Sequence, residues 1–309
     1  TPHFHHWANL WDADCAVVYL RGKKPLLYWP PNTSFWERPK PVSESEFNSA
    51  FELHRHNVKD ASRDTWPKRM LFVGETPARA AELGIDRVNE ARLLAELDAL
   101  RTHKSAYEIE CLKVANALAS RGHEALRKAF QSGDASELEL HLAYLAATAQ
   151  DDPETPYKNI VAAGENAAIL HHIAYATERR REGSLLVDAG ATFRGYCSDI
   201  TRTWVKRGSA GADAFAELAL GLETSQRALA ARVRAGVSFE TLHDDACRDV
   251  ASLLKAAGVL KDISVEEADT RGISRVFLPH GLGHSLGLQT HDVGCALRCA
   301  PAGGSARFV

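Results

Sequence analysis

Long apolar runs are missing from this 309-residue sequence. None approaches the ~20 residues that a membrane-spanning helix needs, and no signal peptide is visible. An excess of one charge is missing too. The formal net charge of −3 gives no general attraction to nucleic acid or to an anionic membrane. Cysteine is sparse: Cys15, Cys111, Cys197, Cys247, Cys295 and Cys299 form no CxxC pair. That argues against thiolate zinc and against a disulfide framework, and it fits a reduced, cytoplasmic protein. Met70 is the only methionine and Thr1 the first residue, so a trimmed or processed N-terminus is expected. There is no G-x-S-x-G elbow, no P-loop and no G-x-G-x-x-G opening a helix. Gly281-Leu282-Gly283 lacks the third glycine at the right offset. A cysteine nucleophile at Cys197 is disfavoured by the aspartate beside it, which would oppose a thiolate.

What is present is an ordinary globular composition, with enough chain for one large domain or two. Residues 15–20 and 25–29 read as strands around the turn Arg21-Gly22-Lys23-Lys24, and 69–73 as a further strand. Residues 78–83 read as a short helix stopped by Gly84. These make a small α/β domain over 1–103, expected to lack its first elements. Its tryptophans, Trp7, Trp11, Trp29, Trp36 and Trp66, suit a core or an interface. Over 104–309 the pattern turns helical. A helix is expected over 106–131, with Ile109, Leu112, Ala119, Gly122, Leu126 and Phe130 near one face. Ser136-Glu137-Leu138-Glu139 is a capping box for the next helix, and further helices fit 214–234 and 239–257. The charge run 178–182 reads as a solvated turn. The order of helices, an Asp-bearing pair of strands, more helices and a His-bearing strand predicts an α+β core.

The chemistry concentrates in two places. Leu185-Leu186-Val187 runs into Asp188, and the segment returns through Asp199-Ile200-Thr201-Arg202-Thr203-Trp204. Folding near residues 193 and 194 sets Asp188 opposite Asp199, with Cβ atoms roughly 5 Å apart. Two ionised carboxylates that close repel unless cations lie between them. Downstream stand His280-Gly281-Leu282-Gly283-His284 and His291. The i, i+4 histidine spacing imitates a helical zinc pair, but the glycines argue against a helix and let backbone approach a ligand. His171 and His172 follow Ala167-Ala168-Ile169-Leu170, which reads as a buried approach. Carboxylates with one imidazole suit manganese, cobalt or iron better than thiolate zinc.

These stretches, with Pro156-Tyr157-Lys158-Asn159, resemble the pita-bread (creatinase/aminopeptidase-like) metallopeptidases. Among them the chain is most similar to the bacterial Xaa-Pro dipeptidases (prolidases), close to the organophosphorus acid anhydrolases. The resemblance runs from near the N-terminus to Gly294. It implies a pita-bread domain over 104–309 that releases proline from Xaa-Pro dipeptides with water activated by two divalent metals, most often manganese. It implies Asp188, Asp199 and His284 as metal ligands. His171, His280 and His291 would steer the substrate carboxylate, stabilise the intermediate and shuttle protons, with Tyr157 near the metals. A homodimer is implied as well. The family adds two glutamate ligands beyond its last histidine, whereas Asp292 is the only acid after His284 here. The chain is therefore expected to be C-terminally incomplete and its activity impaired. Two alternatives stay open: an aminopeptidase P-type exopeptidase and a non-catalytic pita-bread binding module.

Overall fold

A turn forms where Arg21–Lys24 predicted it, around Gly22 with its φ of 77°. It pairs β1 (Ala16–Val18) antiparallel with β2 (Leu26–Tyr28). The computed structural model describes residues 1–36, 45–64, 66–179, 183–208 and 210–294. The chain divides into two units, Thr1–Lys104 and Ser105–Val309. In the first, α1 (Pro2–Trp7) precedes the hairpin. After α2 (Ser45–Asn48), β3 (Glu52–His54) joins β2 in parallel. Three residues carry too short a pattern for β3 to be read from sequence. A βαβ element follows: β4 (Leu71–Phe72), α3 (Pro77–Glu82) and β5 (Arg87–Val88), with the strands parallel. The unit closes with α4 (Ala91–Thr102). Trp29 is buried with Leu10, Leu27, Phe47 and Phe51, whereas Trp7, Trp11 and Trp36 are exposed.

The second unit opens with α5 (Ala106–Ser132), started by a capping box in which Ser105 and Glu108 satisfy each other's backbone N–H. Its inward stripe is Cys111, Ala115, Ala119, Gly122, Leu126 and Phe130. Ile109, expected on that stripe, is exposed, because the 3.6-residue period running through Cys111 and Ala115 turns it outward. The predicted capping box at Ser136 and Glu139 starts α6 (Glu137–Thr148). At Gly122 a Cβ would stand 2.5 Å from the Tyr144 ring, so glycine lets α5 and α6 close on each other.

Both helices cover one face of an antiparallel sheet of β6 (Ile160–Ala163), β7 (Ser184–Ala189) and β10 (Ile200–Val205), ordered β10-β7-β6. Along β7 burial alternates strictly: Leu185, Val187 and Ala189 are buried in the core. The period of two puts Asp188 on the opposite face. Between β7 and β10, β8 (Thr192–Phe193) and β9 (Tyr196–Cys197) form a hairpin. Its loop is Arg194-Gly195, with φ of 50° and 83°, the left-handed pair that a two-residue turn demands. That loop lies one residue later than the fold point expected near 193 and 194. Asp188 therefore faces Thr201, not Asp199. Asp199 precedes Thr201 by two residues, so it keeps the same face and becomes Asp188's diagonal neighbour.

Helices α7 (Ala210–Ala231), α8 (Phe239–Ala256), α9 (Val265–Thr270) and α10 (Ser274–Phe277) follow. The first begins and ends earlier than expected; Gly236 and Gly258 take positive φ beyond the ends of α7 and α8. The histidine segment is not the expected strand. It is a loop closed by one bridge, Ser285 to Asp292, since Gly281, Gly283 and Gly287 offer a pleat no side chains. Arg180–Glu182 and the cysteines at 295 and 299 lie outside the described residues.

Candidate metal centre

Tyr157 ties the aspartates together. Its hydroxyl stands 2.7 Å from Asp188 Oδ1 and 2.7 Å from Asp199 Oδ1. One phenol proton thus serves an oxygen of each carboxylate. Burial pushes the Asp188 carboxyl up, and the neighbouring Asp199 charge adds to this against the Tyr157 hydrogen bond. Burial works on Asp199 in the same direction, but hydrogen bonds from His284 and Tyr157 outweigh it and hold that carboxyl below its ordinary range. Burial and the two aspartates push the Tyr157 hydroxyl far up, so it stays protonated and donating.

His284 reaches the pair through the loop after α10. The Cys197 N–H donates to the Gly287 carbonyl at 2.8 Å and the Asp292 N–H to the Ser285 carbonyl at 3.0 Å. The first bond fastens the loop to the hairpin and the second closes the loop on itself. His284 Nδ1 lies 3.2 Å from the Ser285 carbonyl and so donates to it. That leaves Nε2 facing Asp199 Oδ2 at 3.1 Å, the orientation by which a carbonyl bonded to one ring nitrogen readies the other for a metal. The hydrogen bond to Asp199 raises the pKa of His284. The His284 and His291 rings meet edge-on, their centroids 4.2 Å apart. Ligand atoms of Asp199, His284 and His291 all lie within 4.8 Å of one another. Donors on one ion are at most about 4.2 Å apart when each is about 2.1 Å away, so this set fits a divalent cation after a small inward adjustment. Asp188, sharing the Tyr157 hydroxyl, extends it.

Asp188, Asp199, Tyr157, His284 and His291 are thus brought together. His280 and His171 stand apart. His280 is exposed, its Nδ1 donating to the Gly281 carbonyl at 2.8 Å. It lines a cavity of about 200 Å³ with His243, Arg275, Leu278 and Pro279. His171 is exposed, and the approach to it is not buried: Ile169 and Leu170 are 53% and 62% exposed. Apolar identity alone suggested burial, but both side chains are more than half exposed. Burial pushes the Cys197 thiol up to about 11, which disfavours a nucleophilic thiolate. Arg275 was not foreseen; a lone arginine before Pro279-His280 carries no distinguishing pattern.

Residues 110–305 match the model of metallopeptidase family M24. The chain belongs to this family. Residues 1–98 match the Xaa-Pro dipeptidase N-terminal domain. Among similar proteins, the Xaa-Pro dipeptidase of Proteus mirabilis is 36% identical over 300 residues, 94% of this chain and 67% of that protein. The Xaa-Pro dipeptidase of Marinobacter nauticus is 38% identical over 298 residues, with the same coverage. Escherichia coli aminopeptidase P superposes with a TM-score of 0.77 at 21% identity, covering 95% of this chain and 72% of that one. Proline aminopeptidase P II of Yersinia pestis gives 0.77 at 21% over 100% and 75%. At that identity the structures establish the pita-bread fold and nothing finer.

Proposed function

We propose that the chain hydrolyses Xaa-Pro dipeptides, releasing proline, at the centre built on Asp188, Asp199 and His284. The observation that carries this is the convergence of two carboxylates, a phenol and two imidazoles in an M24 chain whose similar proteins are Xaa-Pro dipeptidases. Divalent ions, manganese in our reading, would be held by Asp188, Asp199 and His284; when bound they lower the pKa of a shared water and polarise the scissile carbonyl. Tyr157 orients both carboxylates from one hydroxyl. His291 is exposed beside His284, where it can exchange a proton with the departing proline nitrogen. His280 and Arg275, the latter 3.5 Å from Asp244 Oδ1, bring donor groups to one cavity, which suits the free carboxylate of a dipeptide. His171 belongs to the same substrate-facing set.

A homodimer in the reducing cytoplasm is part of this reading; the described cysteines Cys15, Cys111, Cys197 and Cys247 are all free thiols. Among the described residues no helix is long and apolar enough to cross a membrane. The test compares proline release from an Xaa-Pro dipeptide with cleavage of a tripeptide carrying proline second, each with added manganese. Release from the dipeptide alone is expected. Preference for the tripeptide would favour an aminopeptidase, and cleavage of neither would overturn the proposal.

A further inference from the structure

Glu137 is the first residue of α6, yet its side chain is only 2% exposed. Both oxygens are saturated. Oε1 accepts from the Ala163 N–H and from Asn166 Nδ2, each at 2.8 Å. Oε2 accepts from His172 Nε2 and from the Ala176 N–H, again at 2.8 Å. Burial would raise its pKa, but these four donors outweigh burial and hold the carboxyl below its ordinary range, so it is a charged acceptor. All four donors belong to one stretch, residues 163–176, which leaves the end of β6 and carries His171.

Between its anchored ends, at Ala163 and Tyr175, that stretch packs loosely. Its regular structure is a single short 3-10 helix, Gly164–Ala168. Ile169, Leu170 and Ile173 are each more than half exposed. Its further ties lie at its two ends: Ala163 pairs with Leu185, the Leu138 N–H donates to the Ala176 carbonyl at 3.2 Å, the Tyr175 hydroxyl donates to the Asn159 carbonyl at 2.6 Å, and the Tyr175 ring stacks on His141 at 4.3 Å with Lys158 Nζ 4.5 Å from its centre. One buried carboxylate thus grips the stretch at both ends and twice between, including at the residue next to His171. An exposed, weakly packed segment opens locally with little free energy unless such bonds fasten it. Hydrogen bonds to an ionised acceptor are the strong kind.

We propose that Glu137 is a positioning residue: its carboxylate fixes residues 163–176 and, through His172, sets His171 against the substrate. The assignment rests on reading His171 as substrate-facing. Glu137→Gln keeps the shape but leaves one carbonyl oxygen and turns an amide NH₂ toward fixed N–H donors.

The test combines hydrogen exchange with kinetics on the whole chain. In Glu137→Gln the amides of 164–176 should exchange about tenfold faster, while those of β7 and β10 keep their rates. Asn166→Ala, which removes one arm and spares the carboxylate, should give a smaller rise in the same amides. With an Xaa-Pro dipeptide, Glu137→Gln should raise KM more than it lowers kcat. Its effect on kcat/KM should fall below about twofold once His171 is already alanine. Unchanged exchange in both variants overturns the clamp. A full additive loss in the His171→Ala background overturns the link to His171. If His171→Ala alone keeps wild-type kcat/KM, the substrate-facing reading fails, and exchange still judges the clamp by itself.

Discussion

Replacing Gly190 by alanine tests the geometry that brings Asp199 beside Asp188. Gly190 follows the last residue of β7 and faces the return of the hairpin. A Cβ there would lie 2.1 Å from the Ser198 carbonyl oxygen, 2.7 Å from Pro156 Cγ and 3.1 Å from Tyr157 Cε1. An ordinary carbon–oxygen contact is about 3.3 Å, so the strands must part by about 1 Å. Ser198 cannot yield freely. It is fully buried, its N–H donates to the Ala191 carbonyl at 2.9 Å, and its hydroxyl accepts from the Ala191 N–H at 2.9 Å. Losing two such bonds costs about 1 kcal/mol each, and overpacking adds about 1–3 kcal/mol. Gly190→Ala should therefore destabilise the metal-free chain by roughly 3–5 kcal/mol in urea denaturation. It should also weaken metal binding, because the displaced carbonyl belongs to the residue before Asp199. A loss below about 0.5 kcal/mol, the range of an ordinary surface change, would refute the close approach.

Three further outcomes follow from the same side chains. Tyr157→Phe removes the hydrogen bond that opposes the upward shift of Asp188, so the carboxyl titration of Asp188, followed by carbon NMR on the metal-free chain, should move to higher pH; an unmoved midpoint would contradict the shared hydroxyl. Asp188 has a folded pKa of about 6, raised from the ordinary 3.8. Its contribution is therefore present below the ordinary value and lost as pH rises through about 6. Asp188→Asn should raise the denaturation midpoint of the metal-free chain at pH 7 while lowering metal affinity, and a fall in both would contradict the burial argument. Glu137 has the opposite sign. Its depressed pKa stabilises the fold above the ordinary value of 4.5, and that stability is lost as pH falls through the folded pKa. Glu137→Gln should flatten the acid limb of a stability–pH curve, and an unchanged limb would show the carboxylate is not ionised in the fold.

The Asp pair was legible because a period of two is robust: an apolar run entering Asp188, and threonines sharing the face of Asp199, survive a shift of pairing by two. The register was not, because it hangs on which two residues accept positive φ, and Arg194-Gly195 is chosen by backbone geometry as well as by residue type. Capping boxes at Ser105 and Ser136 carry local signals, a serine with a glutamate three residues on. The histidine loop misled because strand-like spacing around Gly281, Gly283 and Gly287 says nothing of a loop tied to Cys197. Ile169 and Leu170 misled in the other direction, since apolar identity does not tell which segments find a covering face. Glu137 was hidden inside a capping quartet whose visible partner is Glu139; nothing in the pattern distinguishes the glutamate that turns inward.

In our proposal Asp188, Asp199 and His284 form a metal-dependent centre for Xaa-Pro dipeptide hydrolysis. Manganese titrated calorimetrically into the metal-stripped chain and into its Asp199→Asn variant, with proline release followed in the same samples, tests it most directly. The parent chain should show saturable binding and manganese-dependent proline release, and the variant should lose both. Equal binding and equal release by the two proteins would contradict it.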